Sequence, residues 1–169
     1  SDFININYKS FNIVTSYENI ILDTAGGVKN AIPLFDDNKI LVTNCDIFWK
    51  TENENDVIDI ISNFQLKDEC RLLLGEKEKA YGMNNKKGDF FLKDGIVKRW
   101  QVNEKIFYYS GLQMISSNIF NDFISNKFSF NDVWDLQIKK NTLYGNLMTS
   151  NWYHVGDLKG LKIAINSDT

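Results

Sequence analysis

Two short apolar runs, 39–44 (KILVTN) and 70–74 (CRLLL), flank a single helical stripe, and this pattern limits the chain more than any other feature. Each run is closed by polar turn residues, as a strand buried on both faces would be. Between them, apolar residues at 57, 58, 60, 61 and 64 recur at helical spacing. Strand, crossover helix and strand in this order predict a βαβ unit and a parallel pair. With 43% apolar and 14% aromatic residues, the 169-residue chain has the material for a real core. Charge counts of 19 basic and 22 acidic leave a net of −3, which excludes a polybasic nucleic-acid binder and gives no electrostatic reason to sit on an anionic membrane. No apolar run approaches the ~20 residues of a spanning helix. One proline and no Gly/Ser-rich tract argue against linkers, so we expect one domain over 1–169.

Extending the reading along the chain, 11–17 (FNIVTSY) alternates and reads as a strand. The stretch 23–27 (DTAGG) reads as a loop feeding a helix over 28–35. Residues 88–92, a turn at 93–95 and 96–102 form an expected hairpin. A long strand over 106–115 follows, then helices over 116–124 and 130–140. Short strands over 142–148 and 152–155 lead to a last helix over 158–165, capped by Asp157. The expected fold is α/β and Rossmann-like, with a mainly parallel sheet flanked by helices and a small β-hairpin insert.

Ligands of such sheets bind beyond the carboxyl ends of the strands. Three polar segments arrive there. Gly26 and Gly27 let backbone approach a ligand closely, or they are a plain connection. Asp46, closing the strand 39–44, either caps its loop or holds one corner of a phosphate-bound Mg²⁺. His154 is either a structural histidine or a ligand. Gly88-Asp89 opens a strand as a turn, and Gly111 interrupts one, which marks a bulge or a close approach. Cys45 and Cys70 cannot form a disulfide framework, and no secretory signal opens the chain, so a reduced, cytoplasmic setting is expected. Charged stretches at 76–79 and 86–87 read as solvated faces.

Taken in order, Asp23-Thr24-Ala25-Gly26-Gly27-Val28-Lys29-Asn30-Ala31, Asn44-Cys45-Asp46-Ile47, Gly88-Asp89-Phe90, Tyr109-Ser110-Gly111-Leu112-Gln113, Phe128-Ser129-Phe130-Asn131-Asp132-Val133-Trp134-Asp135 and Trp152-Tyr153-His154-Val155-Gly156 resemble one family. It is the sugar-1-phosphate nucleotidyltransferases, of the compact mannose-1-phosphate guanylyltransferase and N-acetylmuramate-1-phosphate uridylyltransferase type. The resemblance implies transfer of a nucleotidyl group from a nucleoside triphosphate, GTP or UTP, to a sugar 1-phosphate, in first place the mannose-1-phosphate and GTP pairing, with Mg²⁺ as cofactor. By resemblance Asp46 would be the catalytic carboxylate and a metal ligand, with His154 where many relatives carry a second metal-binding Asp. Thr24, Ala25, Gly26 and Gly27 would line the nucleotide and sugar cleft. Asn44, Gly88, Asp89, Ser110 and Gly111 would contact the sugar phosphate.

The chain departs from the family pattern in places. Asp23 replaces the usual Glu, Ser110 replaces Thr, Cys45 stands at a usual Gly, and the neutral His154 would hold Mg²⁺ less strongly than a carboxylate. The glycine-rich triphosphate loop and first βα unit that open family members have no counterpart in the sequence. The chain alone is therefore expected to be inactive, with an open strand slot that favours a homodimer or pairing with a separate amino-terminal piece. The alternative is a non-catalytic sugar-phosphate-binding or partner-binding remnant.

Overall fold

The computed structural model describes residues 2–65, 68–83 and 87–167, so Lys86 of the expected charged face lies outside the described residues. Nine strands and five α-helices run α1 (Asp2–Asn7), α2 (Asp23–Ala31), β1 (Lys39–Thr43), β2 (Ile47–Phe48), α3 (Glu54–Asn63), β3 (Cys70–Glu76), β4 (Ala80–Tyr81), β5 (Phe90–Lys93), β6 (Ile96–Arg99), β7 (Phe107–Ser116), α4 (Phe130–Lys140), β8 (Leu143–Leu147), β9 (Trp152–His154) and α5 (Leu158–Asn166) among the described residues. Six strands form one sheet in the order β1-β7-β3-β8-β6-β5, and β2-β9-β4 form a second, small sheet.

The α/β class stands, while the strand directions need correcting. β3 and β8 pair in parallel, whereas β1–β7, β3–β7, β5–β6 and β6–β8 are antiparallel. β1, β3 and β8 therefore share the direction that the βαβ reading predicts, and β7 runs back between β1 and β3. A strand buried on both faces reads as a continuous apolar run whichever way it points, so periodicity carries no direction for β7.

Alternation along β3 divides the core. Cys70, Leu72 and Leu74 pack with Ile115, Phe130, Val133 and Trp134 on the face covered by α2 and α4. Leu73 points the other way, among Ile60, Tyr108, Leu112, Met114 and Trp152, under α3 and the small sheet. The helix ends follow their local chemistry. Ser129 and Asp132 close a capping box at the start of α4, and Asn141 ends it in the left-handed region. The Asp157 side chain accepts from Gly160 N–H at the start of α5. Residues 116–124, expected as α-helix, form a 3-10 helix over Ser117–Asp122.

Two glycine expectations can be followed into the backbone. The hairpin turn has positive φ at both Asp94 (52°) and Gly95 (78°), the geometry that matches strand twist. At Gly111 (φ 87°) β7 bends, and the β3–β7 register shifts between Leu72 and Leu74. A Cβ on Gly111 would lie 2.5 Å from Ile47 Cγ1, whereas one on Gly95 would meet nothing within 4 Å. Gly111→Ala is thus expected to cost roughly 2–4 kcal/mol, strain plus overlap, and Gly95→Ala only about 1 kcal/mol of strain. Urea unfolding of the two variants checks the difference; equal losses would remove the close-approach explanation.

The stretch 11–17 is not a strand. Phe11, Val14 and Tyr17 are 67%, 61% and 82% exposed, and the segment makes no ladder among the described residues. β1 likewise has β7 as its one neighbour among the described residues and forms an edge of the six-stranded sheet. An alternating apolar sequence becomes a strand only when a neighbour takes its backbone hydrogen bonds. No helix among the described residues is long and apolar enough to cross a membrane.

Candidate active site

The turn between β1 and β2 carries Asp46 to the rim of a cavity of about 310 Å³. Val155 N–H donates to the Asp46 carbonyl at 2.8 Å, and Ile47 pairs with His154 across β2 and β9. This register brings His154 Nε2 to 3.3 Å from Asp46 Oδ2. The second carboxylate oxygen, Oδ1, is buried without a hydrogen-bond partner. Asn44, on the same turn, is tied to β7 by its N–H donating to the Gly111 carbonyl at 2.8 Å.

Further lining comes from the residue before β5, from β6 and β7, and from the start of α4. Asp89 accepts from Tyr109 N–H at 3.1 Å through Oδ2. Burial pushes its carboxyl above the ordinary range, against the lowering by the Tyr109 N–H and the nearby Arg99 guanidinium. Thr24, in the first turn of α2, accepts from Phe130 N–H at 3.1 Å and so fastens the starts of α2 and α4 together at the cavity. Phe130, Trp134 and Trp152 supply apolar surface. Trp134 donates to Gln113 Oε1 at 2.9 Å and Trp152 to the Ser110 carbonyl at 2.7 Å, so both rings are fixed.

The sequence-expected residues do not all converge. Asp46, Asn44, Thr24, Asp89 and His154 line this cavity together. Ala25 is fully buried in the core. Gly26 and Gly27 lie inside α2, which starts at Asp23 and not after the glycines. Gly26 packs on the Asn126 carbonyl, where a Cβ would come within 2.3 Å, and Gly27 lies beside Glu18. Gly88 packs on Trp100 and Ile106, Ser110 is fully buried, and Gly111 acts through the turn it makes against Ile47 and Asn44. Asn131, Trp134 and Trp152 lie in motifs that the sequence reading singled out but were given no site role, and Arg99 was missed altogether; all four share the wall. Arg99 carried a faint signal as one of two arginines against 17 lysines, since arginine is the cation suited to planar, fixed recognition.

Asp46, His154, Asn44, Thr24 and Asp89 thus meet at one cavity at the edge of an α/β sheet. Comparison with known proteins bears out the resemblance that the motifs carry. The chain is similar in sequence and fold to sugar-1-phosphate nucleotidyltransferases. No family model matches it. It is 28% identical over 151 residues to the N-acetylmuramate alpha-1-phosphate uridylyltransferase of Caulobacter vibrioides, covering 86% of this chain and 61% of that protein. Among solved structures, HddC from Yersinia pseudotuberculosis, complexed with GMP-PN, superposes with a TM-score of 0.66 at 19% identity, covering 99% of this chain and 74% of that one. The inositol-1-phosphate CTP transferase from T. maritima superposes with a TM-score of 0.68 at 10% identity, covering 90% and 64%. The two solved structures bear on the fold alone.

Proposed function

We propose that the cavity is the sugar-phosphate side of a nucleotidyl-transfer site. The reading rests on one observation: Asp46, paired with His154 at 3.3 Å, opens on the same cavity as Asp89 and Thr24. In this reaction an oxygen of the sugar 1-phosphate bonds to the α-phosphorus of a nucleoside triphosphate. The bond from that phosphorus to the bridging oxygen breaks, and pyrophosphate leaves. The chemistry needs alignment and neutralisation of phosphate charge more than a proton-transfer group.

Each residue then has a task. Asp89 accepts hydrogen bonds from sugar hydroxyls. Trp134 and Phe130 pack against the ring and exclude water. Thr24, whose Oγ1 accepts from Phe130 N–H, holds the starts of α2 and α4 together beside the phosphate. The donor set fits Mg²⁺: one carboxylate with an unpartnered buried oxygen, and no group of three or more His, Cys, Asp or Glu among the described residues that would hold a metal by itself. Mg²⁺ typically takes one or two protein carboxylates and completes its shell with substrate phosphates and water. Asp46 would hold it, with His154 fixing the other carboxylate oxygen. Bound there, the ion supplies charge neutralisation at the phosphates.

The curated relative's name favours UTP with an N-acetylmuramate-type sugar phosphate over the mannose and GTP pairing of the motif resemblance. The chain spans 61% of that relative's length, and we propose that turnover needs a further segment to grip the triphosphate. The free edge of β1 and the exposed stretch 11–17 suit a strand supplied by such a segment or by a second copy. The free thiols of Cys45 and Cys70 suit a reducing, cytoplasmic setting.

Calorimetric titration with N-acetylmuramate 1-phosphate and mannose 1-phosphate, with and without Mg²⁺, tests the reading. Pyrophosphate release from UTP and GTP is followed in parallel. We expect sugar-phosphate binding, and turnover to prefer UTP. Binding without turnover, even with the matching segment of the Caulobacter enzyme added, would support a non-catalytic binding module. Absence of binding would remove the proposal.

A further inference from the structure

Among the described residues of the cavity wall, Arg99 supplies the one fixed cation. Its Nε donates to Asp135 Oδ1 at 2.7 Å, and its Nη2 donates to the carbonyl and Oδ1 of Asn131 at 3.2 and 2.9 Å. The guanidinium carbon stands 4.9 Å from the centre of the Phe90 ring and 5.8 Å from that of Trp134. Two aromatic faces and three hydrogen bonds fix the plane of the group, so little side-chain freedom remains to be lost when a ligand arrives. Nη1 has no hydrogen-bond partner among the described residues. The ion pair with Asp135 lies at the surface, where water screens it.

Arg99 faces Phe90 across the β5–β6 ladder, and Phe90 directly follows Asp89. Adjacent strands thus offer an anion acceptor for hydroxyls beside a cationic donor. Asp46 and His154 come from other elements, the β1–β2 turn and β9. A neutral hexose would satisfy Asp89 and leave the Arg99 Nη1 without an acceptor. A ring substituent ending in a carboxylate would satisfy both.

We infer that Arg99 forms a subsite for an anionic, carboxylate-bearing substituent of the sugar, distinct from the place of its 1-phosphate. This inference rests on the proposal that the cavity binds a sugar 1-phosphate. It assigns the substrate to the acidic sugars, with Arg99 as the residue that separates them from neutral ones.

The test is calorimetric titration of the 169-residue chain with N-acetylmuramate 1-phosphate and N-acetylglucosamine 1-phosphate, which differ by one lactyl ether carboxylate. The wild type is expected to bind the first at least about tenfold more tightly, as a charge-assisted hydrogen bond would provide. Arg99→Met should bring the two within about twofold by weakening only the first, and Arg99→Lys should fall between, keeping the charge without the fork. Thermal melts report whether the variants are folded, and the wild-type ratio stands without them. Equal wild-type affinities would overturn the subsite. Equal loss of both ligands in folded Arg99→Met would overturn it too, placing Arg99 on the 1-phosphate. Binding of neither ligand by the wild type would instead overturn the sugar-phosphate reading of the cavity.

Discussion

Asp46→Ala is expected to cut Mg²⁺-dependent nucleotidyl transfer on the order of a hundredfold or more, because the charge stabilisation from a bound ion is worth several kcal/mol. Its effect on stability should be slight. The Asp46 contact that holds the turn is its backbone carbonyl, which accepts from Val155 N–H at 2.8 Å and survives the substitution. The side chain contributes an oxygen without a partner among the described residues and a 3.3 Å approach to a partly exposed His154, contacts that solvent screens and that are worth little to folding. Loss of function with an unchanged or raised melting temperature is the pattern of a group kept for chemistry rather than for folding. Two measurements decide: pyrophosphate release in the presence of the triphosphate-gripping segment, and calorimetric titration of Mg²⁺ with sugar phosphate present. A variant equal to wild type in both would remove Asp46 from the metal site.

The opposite pattern is expected at Asp56, on the first turn of α3. This carboxylate is 2% exposed. It accepts from Thr149 N–H and Oγ1, each at 2.8 Å, from Ser150 N–H at 3.1 Å, and from Ser150 Oγ. Asn53, one turn earlier, donates to Ser150 Oγ and to the Asn151 carbonyl. Together they fasten the connection from β8 to β9, and so the strand that carries His154. Asp56→Ala leaves two backbone N–H groups without acceptors and should cost about 3 kcal/mol, a fall of roughly 6–12 °C in melting temperature. Asp56→Asn should also destabilise, since its amide would turn donors towards donors.

The pH dependence has a definite sign. Burial raises the Asp56 carboxyl, but its four hydrogen bonds outweigh that and hold it below the ordinary value of 3.8. The folded state therefore gains from this group above the unfolded value, and the gain is lost as pH falls through the folded one. The stability gap between wild type and Asp56→Ala should be constant from neutral pH down to about 5 and shrink below about 4. Urea unfolding across that range measures it, and a gap that widened on acidification would contradict the assigned hydrogen bonds.

Part of this architecture is written locally. The cap at Asp157 and the turn at Asp94 and Gly95 each depend on a few adjacent residues, and the sequence reads them correctly. The small sheet was legible only in β9, read as the short strand 152–155; β2 and β4 have two residues each, too few for any period to show. The direction of β7 and the unpaired state of 11–17 depend on which neighbours are present, and a single strand's sequence does not record that. The site divides in the same way. Asp46 and Asn44 could be found because they end a strand. Arg99 could not, because it reaches the cavity through a cross-strand pairing with Phe90 and a packing partner in α4. The paired glycines misled for a physical reason. Gly26 answers to close packing against the Asn126 carbonyl, which demands the same small residue as a phosphate would.

The indole rings of Trp134 and Trp152 form part of the cavity wall while their N–H groups stay bonded to Gln113 and to the Ser110 carbonyl. A sugar ring entering there would displace solvent from two rigid fluorophores. Their emission would then shift with occupancy, giving the molecule a built-in optical signal of ligand binding that requires no label.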